Sequence, residues 1–494
     1  MADAPREAVE ALVEQVRAGG MSRREFIRRV VLLTGSVAAA RALGDRVAPP
    51  GNAAAAPALQ SGGLPAGLAQ VEHIVVIYQE NHSFDNLYGR FPGADGLANA
   101  TVAVPQTTLD DAPYAALPQP RDTTVQPVGP DPRFPADLPN QPFDVARFVP
   151  ADQKTGDLIH AYYREQYQIN GGRMDRFAYW SDAKGLTMGY YDTDSLPLAR
   201  WAREYTLADR FFHAAFGGSF LNHFWMVSAS TPVWPDAPAD AISLPFPDQP
   251  EFLQDKNVRP DGYAVNTTQP FYAPYRGGMP DDHRLPPQRM LHIGDRLDAA
   301  GVSWAWYAGG WNDAVAGAPD PLFQYHHHPF TYMANVGGDP AARARHLKDE
   351  TDFVAALQNG TLPQVSWVKP IGEDNEHPGY ADVITGERHV DAVLQQIQAS
   401  PYWPHTVVIL TYDEHGGYWD HVPPPVVDEW GPGLRVPTLI ISPYARRGFV
   451  DHTVYDTTSI LAFIEARWGL APLATRDATV AKLLNSLDFT AGGK

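Results

Sequence analysis

Two short apolar runs dominate the hydrophobic pattern of the chain, Ile74-Val75-Val76-Ile77-Tyr78 and Val407-Val408-Ile409-Leu410-Thr411. Unbroken β-branched runs bounded by polar residues read as strands buried on both faces, as in a parallel sheet, and not as the alternating strands of a half-exposed one. Residues 365–368 and 438–441 carry the same signature. Apolar and aromatic spacing predicts a helix over residues 157–180, a loop through 187–191, a second helical run near 196–205, and an amphipathic C-terminal helix over 458–468 stopped by Gly469. Residues 100–150, rich in Pro, Asp and Gln, and the Pro-rich stretch 231–290 lack periodicity and read as long surface insertions. With no internal repeat, this alternation predicts an α/β fold, a three-layer sandwich around a central, mostly parallel sheet.

The N-terminal segment changes the picture by adding a compartment. Ser22-Arg23-Arg24-Glu25-Phe26-Ile27 is a twin-arginine pattern, followed by the apolar run 30–40 and the small residues Ala53 to Ala56. Residues 1–56 are therefore expected to be a twin-arginine export signal, and 57–494 a single catalytic domain, located in the periplasm, at the cell wall or outside the cell. The apolar run falls short of the roughly 20 residues that span a bilayer, so no stable transmembrane anchor is expected. The absence of cysteine accords with export of an already folded protein.

Charge narrows the partners. The whole chain carries a formal charge of −19, and residues 1–56 hold 8 Lys and Arg against 6 Asp and Glu, so the remainder is still more acidic. Such a body repels polyanions, which excludes nucleic acid and requires local cations or histidines to capture a phosphate.

Candidate chemistry clusters where the strands end. The first run leads into Gln79-Glu80-Asn81-His82 and the second into Tyr412-Asp413-Glu414-His415-Gly416-Gly417. In open α/β sheets ligands bind beyond the carboxyl ends of strands, and carboxylates converging there call for a cation. The bland alternative is that each acidic pair caps the helix that follows its strand. The best nucleophile candidate is Ser219 in Phe216-Gly217-Gly218-Ser219-Phe220-Leu221-Asn222-His223, where paired glycines allow close backbone approach and a helix start presents N–H groups to an anion. Leu221 rules out a Gly-x-Ser-x-Gly elbow, and a Cys-x-Pro-x-Arg site is excluded because the chain has no cysteine. Histidines at His160, in the triplet His326-His327-His328, and at His377 sit where side chains can converge on a pocket.

Glu80-Asn81-His82-Ser83-Phe84-Asp85, the Gly-Gly-Ser-Phe-Leu-Asn-His segment, and Asp413-Glu414-His415-Gly416-Gly417 with Asp420-His421-Val422-Pro423-Pro424 together resemble the bacterial phosphoesterase family of phospholipases C and acid phosphatases, within the alkaline phosphatase superfamily. The resemblance spans residues 71 to 470 or so. It implies an alkaline-phosphatase-like sandwich and one divalent metal held by Glu80, Asn81, Asp413 and Glu414. The ion could be calcium, zinc, manganese, magnesium or iron. It further implies Ser219 as nucleophile, His160, His326, His327 and His377 lining a phosphate pocket, and Asn222 and His421 as substrate contacts. Ser219 stands where many phospholipases C carry Thr in a Gly-Pro-Thr context, and the chain ends soon after its last helix, without the further β-domains of the longer phospholipases. Both differences favour an acid phosphatase acting on phosphomonoesters through a phosphoserine. The alternatives are a phospholipase C acting on phospholipids and a non-catalytic metal- or phosphate-binding protein.

Overall fold

The computed structural model describes residues 64–100 and 105–490; the twin-arginine segment lies outside the described residues. Eight strands form the main sheet: β1 (His73–Gln79), β2 (Thr206–Ala208), β3 (Trp304–Ala308), β4 (Leu347–Asp349), β5 (Val365–Lys369), β6 (Thr406–Tyr412), β7 (Thr438–Ile441) and β8 (Phe449–Asp451). Their spatial order is β4-β3-β5-β1-β6-β7-β2-β8. Neighbours pair in parallel except on either side of β7, which alone runs antiparallel to β6 and β2. The expected mostly parallel sheet is present.

Every residue of β3, β5, β6 and β7 is buried. The continuous apolar runs therefore mean what they promised, a sheet covered on both faces. Helices α1 (Tyr162–Ile169), α2 (Ser219–Ser228), α3 (Glu350–Asn359), α4 (Val383–Ala399) and α5 (Thr458–Trp468) supply much of the cover, with α2 packed on α5 and α3 on α4. The C-terminal helix has the predicted bounds and ends on Gly469 at φ +66°, a left-handed cap open to glycine.

The helix expected over 157–180 is broken. Residues 157–161 are irregular, with Ala161 extended ahead of α1; Asn170 turns left-handed at φ 47°, and Gly171 and Gly172 follow before a short helix Phe177–Trp180. The irregular lead-in carries His160. The second run is helical only over Ala199–Glu204, since Pro197 lies before it. Among the described residues the two insertions hold two-residue ladders and three-residue 3₁₀ turns, yet they are not confined to the surface: Leu117, Phe134, Leu138, Val145, Val258, Ala264, Val265 and Leu285 are buried in the core. Apolar residues spaced without a period gave no sign of this.

β1 and β6 are neighbours in register, with Gln79 opposite Tyr412, so the acidic segments that follow both strands emerge side by side. They abut so closely that a Cβ on Gly416, at φ +63°, would lie 1.9 Å from the Asn81 carbonyl oxygen. Gly416→Ala is expected to destabilise the fold by at least about 2 kcal/mol through combined strain and overlap, measured by urea denaturation with an unchanged m-value.

Candidate active site

The four residues expected to hold a metal all lie at these strand ends. Glu80, Asn81, Asp413 and Glu414 are fully buried. Backbone bonds set their spacing: Asp413 N–H donates to the Gln79 carbonyl (3.0 Å), Asn81 N–H to Asp413 Oδ1 (3.2 Å), and Gly416 N–H to Glu414 Oε2 (2.6 Å). Each of the four nevertheless keeps one buried oxygen without a hydrogen-bond partner: Glu80 Oε1, Asn81 Oδ1, Asp413 Oδ2 and Glu414 Oε1. Buried polar atoms are ordinarily satisfied, and three carboxylates with a carboxamide make an oxygen donor set suited to a hard divalent cation. The residues fit a metal. Burial, with Asp413 beside it, pushes the Glu414 carboxyl well above its usual range, as expected where a charge lacks a counter-ion.

Ser219 opens α2 directly after Gly217 and Gly218 and lines a polar cavity of about 530 Å³ together with His160, His326, His377, Tyr380, Asp157 and Asp182. Gly217 is at φ +91°, and its neighbour Gly218 lies against His160 so closely that a Cβ would sit 2.8 Å from the His160 carbonyl oxygen. His160 joins the cavity to the ligand cluster, its Nε2 being 3.1 Å from Asn81 Nδ2 and 3.9 Å from Glu414 Oε1. His160 Nδ1 donates to the Leu158 carbonyl (2.5 Å) and His377 Nδ1 to the Pro378 carbonyl (2.7 Å), which leaves Nε2 of each neutral ring as the atom able to accept a proton or bind a ligand.

The triplet divides. His326 faces the cavity, His327 contacts Glu80 Oε1 and stacks on His223, and His328 is buried against Trp311. Burial lowers His326 well below its ordinary value, reinforced by neighbouring His327. Asn222 and His421 are not brought to the cavity. Asn222 spends its amide on the nucleophile turn, bonding Ala215 N–H and the carbonyls of Ala215, Gly217 and Gly218. His421 belongs to a separate buried ion cluster with Asp85, Asp420 and Arg435.

Four residues at the site escaped the sequence reading. Tyr380 donates to Glu80 Oε2 (3.1 Å) and stacks on His377. Lys369, the last residue of β5, is fully buried beside Glu80 and Asp413. Glu165 of α1 accepts from Gly217 N–H (2.5 Å) and Leu434 N–H (3.0 Å) and lies 3.0 Å from His213 Nε2. Glu376 accepts from Tyr412 Oη (2.7 Å) and Gln79 Nε2 (2.8 Å), bridging the ends of β6 and β1. A strand-terminal Lys after an apolar run, and Glu376 next to His377, were the only available signals.

A buried carboxylate cluster thus lies at the strand ends, beside a serine at a helix N-terminus. The chain belongs to the Phosphoesterase family, which it matches over residues 71–471, and is a hydrolase acting on phosphoric ester bonds. It is 27% identical to phospholipase C B of Mycobacterium tuberculosis (strain H37Rv), over 96% of this chain and 86% of that one. It is 28% identical to the non-hemolytic phospholipase C of Burkholderia pseudomallei, over 95% of this chain and 65% of that one. Among solved structures it is similar to the lipoteichoic acid synthase LtaP of Listeria monocytogenes, at 10% identity and a TM-score of 0.38 over 88% of this chain and 82% of that one. Among the described residues no helix is long and apolar enough to cross a membrane.

Burial pushes the Glu376 carboxyl up to about 8. The folded protein then holds this proton more tightly than the unfolded chain, whose Glu titrates near 4.3. This group's stabilisation is present at low pH and is lost as pH rises from about 4.5 to about 8. Glu376→Gln is expected to flatten that part of the profile of Tm against pH.

Proposed function

We propose that the protein is an exported, metal-dependent phosphodiesterase of the phospholipase C type, working through a phosphoserine on Ser219. The observation that carries the reading is the convergence of Ser219 and three histidines on one cavity, with His160 linking it to four buried oxygens that accept no hydrogen bond. Its diester preference is supported by relatives named phospholipase C that match nearly the whole chain. It is also supported by Asp157 and Asp182 at the cavity wall, which repel a dianionic monoester more than a singly charged diester.

A divalent cation at Glu80, Asn81, Asp413 and Glu414 would supply Lewis acidity to the serine and phosphoryl oxygens. The chain's own groups do the rest. The start of α2 directs backbone N–H groups toward the phosphoryl oxygens. Ser219 Oγ forms a bond to phosphorus as the alcohol leaves, and water then cleaves the phosphoserine. Nε2 of His160 or His377 is the atom that takes the serine proton and returns it to the departing alkoxide, because Nδ1 of each is held by a carbonyl.

A phosphomonoesterase is the second reading, favoured by the Gly217-Gly218-Ser219 start. Turnover of phosphatidylcholine and p-nitrophenyl phosphate by the metal-loaded protein across pH 5–8 separates the two. The lipid is expected to be preferred, and Ser219→Ala to lose at least about a thousandfold in kcat. A preferred monoester would assign the acid phosphatase activity, and activity that survives the substitution would remove Ser219 as nucleophile.

Export follows from Arg23 and Arg24 ahead of an apolar run. Replacing both with Lys is expected to retain the protein in the cytoplasm, read by cell fractionation.

A further inference from the structure

The carboxylate cluster holds a cation of its own. Lys369 Nζ lies 3.0 Å from Glu80 Oε1 and 3.5 Å from Asp413 Oδ2, donates to the Gln79 carbonyl at 3.3 Å, and faces the Tyr78 ring at 5.2 Å. It is the only Lys or Arg among the described residues in ion-pair contact with Glu80, Asp413 or Glu414; their other partners are His327, His223, His160 and His415. Lys369 is fully buried and, like Glu80, Asp413 and Glu414, lies outside the cavity wall. The two oxygens it faces, Glu80 Oε1 and Asp413 Oδ2, are among those left without a hydrogen bond. Its contact with them is charge on charge at ion-pair distance, and not a directed bond. Glu80, Asp413 and Glu414 bring three negative charges in their ionised forms. One ammonium and one divalent ion cancel them, whereas two divalent ions beside the ammonium would leave an excess positive charge in a buried site.

We infer that Lys369 is a fixed internal cation of the metal centre, standing where a second metal ion would otherwise be needed, so that the site takes one divalent ion. This rests on the metal-dependent reading of Glu80, Asn81, Asp413 and Glu414. It gives Lys369 a positioning role through charge, not a catalytic one.

The test reads metal and not turnover. The mature protein, stripped with chelator, is titrated with Mn²⁺ by calorimetry, and bound metal is counted by elemental analysis. The wild type is expected to bind one equivalent. Lys369→Met removes the competing positive charge and is expected to bind Mn²⁺ about tenfold or more tightly, while Lys369→Arg stays near the wild-type affinity. A purely structural lysine would give the opposite sign, with weaker binding in Lys369→Met. Unchanged or weaker binding in that variant overturns the proposal, as does a wild-type stoichiometry of two. If Lys369→Met does not fold, Lys369→Gln is read by the same criteria, and the wild-type stoichiometry decides if neither folds. A wild type that binds no Mn²⁺ would sink the metal reading as well, whereas one equivalent with unaltered affinity in the variant removes the role of Lys369 alone.

Discussion

Three carboxylates and a carboxamide are fully buried at the ends of two adjacent strands, and that constraint organises the molecule. Like charges crowded in a medium of low polarity are strongly unfavourable unless cations and hydrogen bonds surround them. The surroundings answer on every side. Backbone N–H groups of Asn81, Glu414 and Gly416 point at Asp413 and Glu414, Tyr380 donates to Glu80, and Lys369 and His327 contact the same Glu80 oxygen. The parallel pairing of β1 with β6 creates the problem, and β5, on the other side of β1, delivers the lysine that relieves part of it.

The same pairing explains why the core of the site could be read from sequence. A strand buried on both faces must be apolar throughout, so the first polar residues after it mark where the sheet ends, and in a parallel sheet these ends lie on one edge. Glu80, Asn81, Asp413 and Glu414 were legible for that reason, and Ser219 because two glycines before a helix start signal close backbone approach. Lys369 was not legible, because one charge after an apolar run looks like ordinary strand punctuation. Glu165 sits inside an amphipathic helical pattern, where a Glu reads as a solvated residue; only the fold shows it at zero exposure. The helical periodicity continues across residues 157–161, although the chain there is irregular and His160 Nδ1 bonds the Leu158 carbonyl.

The insertions teach a related lesson. Their Pro-rich, aperiodic sequence reads as surface chain, and the buried residues within them correct that expectation. Residues 231–290 contribute Asp255, Asn266 and Thr267 to the cavity wall, and Asn266 accepts from Tyr162 N–H at the start of α1. Irregular chain can be as buried as a strand when side-chain amides satisfy the backbone groups that a ladder would have paired, as Asn140 does for Gln106 and Tyr114. The substrate side of the cavity is therefore built largely from segments whose shape local pattern does not encode.

One carboxylate couples the two halves of the chemistry. Glu165 accepts from Gly217, two residues before Ser219, and from Leu434, while its Oε1 lies 3.0 Å from His213 Nε2 and 3.7 Å from the Nδ1 of His415, the residue after Glu414. A Cβ on Gly433 would lie 2.1 Å from the His213 ring and 2.5 Å from Glu165 Oε1, so the chain leaves no slack around this junction. The turn before Ser219 and the loop after Glu414 are thus referenced to a single buried group, and neither can shift without disturbing a hydrogen bond or ion contact of the other. One buried anchor shared by both segments keeps their spacing fixed, and the fold supplies it by placing α1 behind the turn, the left-handed break after α1 letting the helix end there.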